Sequence, residues 1–276
     1  MTGVQTCALP ISADGRSIPF NPRSLAQRLQ PAIRLRFLSS YDALSANSDY
    51  TAEWVQRWWG LPSEVITPPV RLRNPGAKEQ LIISVGRFFG EQSGHSKRQL
   101  EMVEAFRRLC ERGTKGWRLV LIGGSSAADR EYAMQVRRAA AGLPVELRFS
   151  APGEVLDDHF AKASIYWHAA GLGSDLQRHP DRAEHFGIAP VEAMSAGAVP
   201  VVFDAAGPGS VVRHEIDGLK YRTLDGLVEC TERLIAQPEL RARLSESARV
   251  RSRDFDQQHF EDHVRSLVAS VLAKPN

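Results

Sequence analysis

The stretch LIISVGRFFGEQSGHSKRQLEMVEAFRRLC, Leu81 to Cys110, sets the reading of the chain. Its opening LIISV is too apolar for a strand with one wet face and predicts one covered on both sides. From Ser96 the period changes: Leu100, Val103, Phe106 and Cys110 fall on one helical stripe. The alternation then repeats. RLVLI (118–122), VELRF (145–149), SIYWH (164–168), VPVVF (199–203) and LKY (219–221) read as strands, and 131–141 and 155–163 as helices. Helices are also expected at 225–236, 238–251 and 256–272, with Pro238 at a tolerated first position. Strands alternating with helices predict an α/β fold, a doubly wound, Rossmann-like parallel sheet with helices at its C-terminal end.

Upstream of Leu81 the pattern differs. Arg34 to Ser40 reads as helical or irregular, and Ala43 to Asn47 as a short strand. Ser48 suits the cap of a helix over Thr51 to Trp59, stopped by Gly60 and Pro62. Val65 to Val70 contains two prolines and predicts a stiff extended connector. Asn74 to Lys78 is polar, like a boundary. The expected organisation is therefore a remnant of one domain over 12–70, a complete second domain over 71–255, and a terminal helix over 256–276. The opening MTGVQTCALPI carries no charge and no periodicity, and its apolar stretch is too short for a signal peptide. It resembles a translated sequencing-adapter read, so residues 1–11 are expected to be non-native, with the natural sequence joined partway along. A disordered natural terminus is the alternative.

Composition narrows the class. Of 276 residues, 43% are apolar and 24% charged, which fits a globular protein and excludes a disordered or collagen-like one. A net charge of +3 spread along the chain gives no basis for nucleic-acid binding. No apolar run approaches the ~18–20 residues that cross a bilayer. Cys7, Cys110 and Cys230 show no CxxC spacing, which fits a reducing compartment and supplies no metal signature. A cytoplasmic enzyme or binding domain is expected.

In an open parallel sheet, ligands bind beyond the carboxyl ends of the strands. Gly86 and Arg87 follow the first strand, and Lys97 opens the next helix. Two cations there would clamp an anion such as a diphosphate, whose charge grows as a bond to it breaks. Two solvated surface cations would read the same. The segment EHFGIAPVEAMSAGAVPVV (184–202) is more specific. Glu184 and Glu192 stand eight residues apart, and Pro190 is expected at the first helical position, which puts Glu192 in the first turn. A carboxylate so placed can accept from two vicinal hydroxyls; it can equally do no more than complement the helix dipole.

These segments together resemble a known family. SVGRFF, HSKRQLEMVEAF, LVLIGG, EHFGIAPVEAM, GAVPVV and AGPGSVVRHEIDGLKY run in the order seen in glycosyltransferase family 4, whose members are retaining, nucleotide-sugar-dependent enzymes of the GT-B fold. The resemblance covers about Tyr41 to Phe260, and NSDYTAEWVQRWWG with VITPPV is similar to the family's crossing between its two domains. It implies that Arg87 and Lys97 contact the donor diphosphate, that Glu184 lies near the donor sugar, and that Glu192 holds the ribose hydroxyls. Arg87, Lys97 and Glu184 become the expected catalytic residues. Gly86, His185, Phe186, Gly187, Ile188 and Glu192 become the expected donor-binding ones. No cofactor and no metal are implied. The expected partners are a UDP- or GDP-linked sugar and a saccharide or lipid-linked acceptor, with weak peripheral membrane association through the absent domain.

Some positions depart from the family's pattern. Ser210, after the Gly207-Pro208-Gly209 turn, stands where many members carry glutamate, and the Gly90–Gly94 insertion loosens the Arg87–Lys97 spacing. Most of the acceptor-binding domain is absent from the reading. His168, at a strand end, and His185 are open candidates for substrate contact. Asp175 and His179 read as sugar-contacting or solvated, while His95, His159, His214, His259 and His263 look structural or exposed. Trp54, Trp58 and Trp59 read as an acceptor platform or, by preference, as a face toward the absent domain that is exposed without it. A nucleotide-sugar binding module without turnover is the competing reading. A dinucleotide oxidoreductase lacks its GxGxxG after a strand, and a sugar epimerase lacks the motif order.

Overall fold

The computed structural model describes residue 38, residues 40–90 and residues 96–273. The segment 1–11, most of the stretch ahead of Ser40, His95 and most of the Gly90–Gly94 insertion lie outside the described residues.

The first unit pairs β1 (Ser45–Ala46) in parallel with β2 (Glu64–Val65) across α1 (Asp49–Trp59). The Ser48 hydroxyl accepts from the Thr51 N–H, and Gly60 ends the helix at φ 66°. Both roles were readable in the sequence; the strand is shorter than expected. No regular element follows until β3, but Val70 is buried and its N–H donates to Phe255 O at 2.8 Å.

Six parallel strands then form one sheet: β3 (Glu79–Val85), β4 (Arg118–Gly123), β5 (Val145–Phe149), β6 (Ala163–His168), β7 (Val199–Phe203) and β8 (Leu219–Tyr221). They coincide with the six expected runs. Their order is β5-β4-β3-β6-β7-β8, so the chain winds outward from β3 and then returns to its other side. The intervening helices are α2 (Gln99–Glu111), α3 (Arg130–Ala139), α4 (Gly153–Lys162), α5 (Ile188–Ser195), α6 (Ala206–Val211) and α7 (Leu224–Ala236), followed by α8 (Pro238–Ser252) and α9 (Gln257–Leu272). No described helix is long and apolar enough to cross a membrane.

Strand pleating sends alternate residues to opposite faces, and both faces are dry. Ile82, Leu119, Leu121, Ile165 and Trp167 pack on one side with Met102, Val103 and Phe106 of α2. Leu81, Ile83, Val120, Ile122 and Tyr166 pack on the other with Phe160 of α4 and Ala193 of α5. This two-sided burial is why the strands read as unbroken apolar runs rather than alternating ones.

Three expectations are corrected. Gly207-Pro208-Gly209, read as a turn, lies within helix α6. Helix α5 begins at Ile188 with Gly187 as its cap, so Pro190 is its third residue and Glu192 lies beyond the first turn. Trp54 is buried, with only Trp58 strongly exposed among the three tryptophans of α1. Burial became possible because α1 packs against α6 of the same chain, and Tyr50 donates to Pro180 O at 3.1 Å.

Candidate functional site

Between β3 and β6 the winding reverses, and the segments leaving the two strands diverge. Such a switch point opens a crevice beyond the strand ends. A cavity of about 480 Å³ occupies it, within the usual size of a small-molecule site. Ser84 and Val85 of β3, Lys97 ahead of α2, Tyr166 and His168 of β6, and the loop Glu184 to Pro190 form its walls.

Lys97 and Glu184 meet directly across this crevice, Nζ on Oε2. Gly86 makes room for the lysine: a Cβ there would sit 2.7 Å from Lys97 Cγ. Burial favours the protonated form of Glu184, but the His168 ring and the Lys97 ammonium outweigh it and hold the carboxyl well below the usual range. Glu184 is thus an anion at neutral pH.

The loop after Glu184 is built by close backbone packing. Gly187 adopts φ 95°, and the Gly207 N–H donates to Glu184 O at 3.0 Å. A Cβ on Gly207 would lie 2.3 Å from His185 O, so α6 can support the loop only with glycine there. Phe186 is buried against Phe255, at 5.6 Å between ring centroids. His185 lies 6.1 Å from the Tyr50 ring, and its Nε2 is buried without a hydrogen-bond partner. Burial lowers its pKa. Ile188 is exposed at the cavity rim, where α5 begins with N–H groups that have no intrahelical acceptor.

Two expected site residues stand apart from this centre. Arg87 is exposed, its guanidinium 5.1 Å over the Phe89 ring, and does not line the cavity. Glu192 is held by Arg73, Nη2 to Oε1 at 2.6 Å, and does not line the cavity. Burial raises its pKa and Arg73 opposes that. Arg73 also pairs with Asp157 and lies 4.5 Å over the Phe160 ring. It was not singled out from sequence, because nothing local marks an arginine in a connector as the partner of a glutamate 119 positions away.

The remaining candidates sort plainly. Asp175 accepts from the Gln177 and Arg178 N–H groups and shapes its own loop. His159 bonds Val155 O at 2.6 Å, and His214 accepts from the Lys220 N–H. Asn47, Pro68 and Met102 join the cavity wall without any sequence signal. Among the described residues no three His, Cys, Asp or Glu side chains cluster as metal ligands.

A doubly wound sheet whose switch-point cavity sets a lysine and a carboxylate beside a helix N-terminus belongs to the class of open α/β ligand-binding domains. Residues 72–251 match the family model for glycosyl transferases group 1, and the chain belongs to that family. Its sheet domain has the Rossmann-like form found in the GT-B architecture. The human "GDP-Man:Man(3)GlcNAc(2)-PP-Dol alpha-1,2-mannosyltransferase" is 28% identical over 85% of this chain and 49% of its own length. The chain spans about half the length of the curated relatives it matches. Sucrose-phosphate synthase from Thermosynechococcus elongatus is similar at a TM-score of 0.70 and 20% identity, over 90% of this chain and 62% of that one. Anabaena HepE, solved with UDP and glucose, has a TM-score of 0.70 and 17% identity over 91% and 69%.

Proposed function

We propose that this chain is the donor-binding half of a retaining glycosyltransferase, which moves a sugar from a nucleoside diphosphate to an acceptor hydroxyl. The observation that carries the reading is the Lys97–Glu184 pair at the switch-point cavity, on the loop that opens α5. Lys97 and the free N–H groups of α5 face the diphosphate and stabilise its charge as it leaves. Arg87 joins them by turning from Phe89 toward the phosphates. Glu184, ionised and facing the cavity, takes hydroxyls of the donor sugar. Glu192 holds the ribose through the carboxylate oxygen that Arg73 does not engage. Gly86, His185, Phe186, Gly187 and Ile188 shape the donor cleft.

The activity named for the curated relatives favours a GDP-linked hexose and a lipid-linked saccharide acceptor. HepE with UDP and glucose keeps a uridine donor in view. Thermal unfolding with GDP, UDP and their hexose conjugates tests the reading. A ligand at 100 times its Kd stabilises by about 2.7 kcal/mol. One nucleotide is expected to raise Tm in the native chain and not in Lys97→Met. Silence from every nucleotide in a folded sample counts against the donor site. Binding without sugar release to any acceptor favours the narrower reading, a nucleotide-sugar module without turnover.

A further inference from the structure

His168 is the last residue of β6, the strand that borders β3 at the switch point. It is 5% exposed and lines the cavity, and both its ring nitrogens are buried without a hydrogen-bond partner among the described residues. Folded proteins pair nearly all such atoms. His159, similarly buried, does so through Val155 O. An orphan at a cavity wall points to a partner that arrives with the ligand.

The neighbouring carboxylate identifies that partner. His168 Nε2 stands 3.9 Å from Glu184 Oε2, too far for a direct hydrogen bond. One oxygen atom can lie about 2.8 Å from both. An ionised carboxylate only accepts, whereas a neutral imidazole has one N–H to give. Burial lowers the His168 pKa and keeps the ring neutral, against the opposite pull of Glu184. With that N–H on Nε2, the nitrogen facing Glu184, the group between them accepts from the ring and donates to the carboxylate, as a hydroxyl does. Ala169 and Ala170, both buried, line the same cavity with small apolar side chains.

We infer that His168 Nε2 and Glu184 Oε2 together hold one hydroxyl of the donor's sugar, which makes His168 a specificity residue for the sugar and not for the nucleotide. The inference rests on the donor-site reading above.

Calorimetric titration of the full chain tests it, with GDP, UDP, GDP-mannose and UDP-glucose as probes. Analogues of the bound conjugate that lack one sugar hydroxyl at a time complete the set. In His168→Phe, affinity for the free nucleotide is expected to stay unchanged, which also reports a folded site. Affinity for the sugar conjugate is expected to fall about tenfold, the loss of one good hydrogen bond. Removing one particular hydroxyl should cost the native chain clearly more than it costs the variant, in which Glu184 alone still accepts from that hydroxyl. His168→Gln, which keeps a donor, should recover part of the loss, and it decides the matter if the Phe variant does not fold. An unchanged ratio of conjugate to nucleotide affinity, as a merely water-filled gap would give, overturns the inference alone. So does a loss spread evenly over every hydroxyl. Absence of any nucleotide binding in the native chain sinks the donor reading, and this inference with it.

Discussion

The Lys97–Glu184 pair sets how the site responds to acid. The folded-state pKa of Glu184 lies below its unfolded value, so ionised Glu184 adds stability above the ordinary carboxylate range. That contribution is lost as pH falls from about 5 toward the depressed pKa. The unfolding free energies of the native chain and Glu184→Gln should therefore differ at pH 7 and converge on acidification, as urea titrations across pH would measure. At pH 7 the gap should be about 2 kcal/mol, below that of a fully buried pair because the side chains keep 18% and 23% exposure. Arg73 plays a comparable part for Glu192. Its guanidinium joins Asp157, Glu192 and the Phe160 ring at 9% exposure. Arg73→Met strands the Glu192 carboxylate, while Asp157 keeps Arg71, and should cost about 3 kcal/mol. Arg73→Lys should recover only part of that, since an ammonium cannot serve both carboxylates as a planar fork does. Chemical denaturation of the two variants checks this.

Helix α6 is the least readable element of the site and one of its supports. Gly-Pro-Gly is ordinary turn composition, and a six-residue helix offers too few positions for a period to show. What fixes it is contact: Gly207 approaches His185 and Phe186 so closely that a Cβ would meet their backbone at 2.3–2.4 Å. Gly207→Ala should thus displace the Glu184–Ile188 loop and cost about 1–3 kcal/mol. It should also weaken nucleotide binding although residue 207 does not line the cavity; paired thermal and binding measurements test both parts. The start of α5 moved for a related reason. Pro190 is tolerated anywhere in a first turn, so its presence dated the helix only to within a turn. Gly187, at φ 95°, marks the true boundary through its left-handed backbone.

Among the described residues, the molecule is the sheet with its helices and the 45–65 unit docked on it. That docking runs through α1 against α6 and through Tyr50 to Pro180 O. Trp54 is buried within the unit, 6% exposed and edge-on to Tyr50 at 6.3 Å. Trp54→Ala should cost about 3 kcal/mol. Hydrogen exchange should rise first in α1, before β3 and β4, because the lost contacts belong to the docked unit and not to the sheet. Equal loosening of sheet and helix would count against that division.

Local chemistry was enough to reveal the six strands, the Ser48 cap and the Gly60 stop. A strand buried on both faces must be apolar throughout, and a helix end needs its few orphan groups satisfied by neighbours in sequence. Their places after β3 and ahead of α5 made Lys97 and Glu184 candidates, and the family resemblance singled them out. Pairing was different. Arg73 on Glu192, α6 under the loop and His168 facing Glu184 join residues far apart along the chain, and only the folded sheet brings them within reach. Their partners are chosen by distance in space, and no local pattern of residues carries that distance.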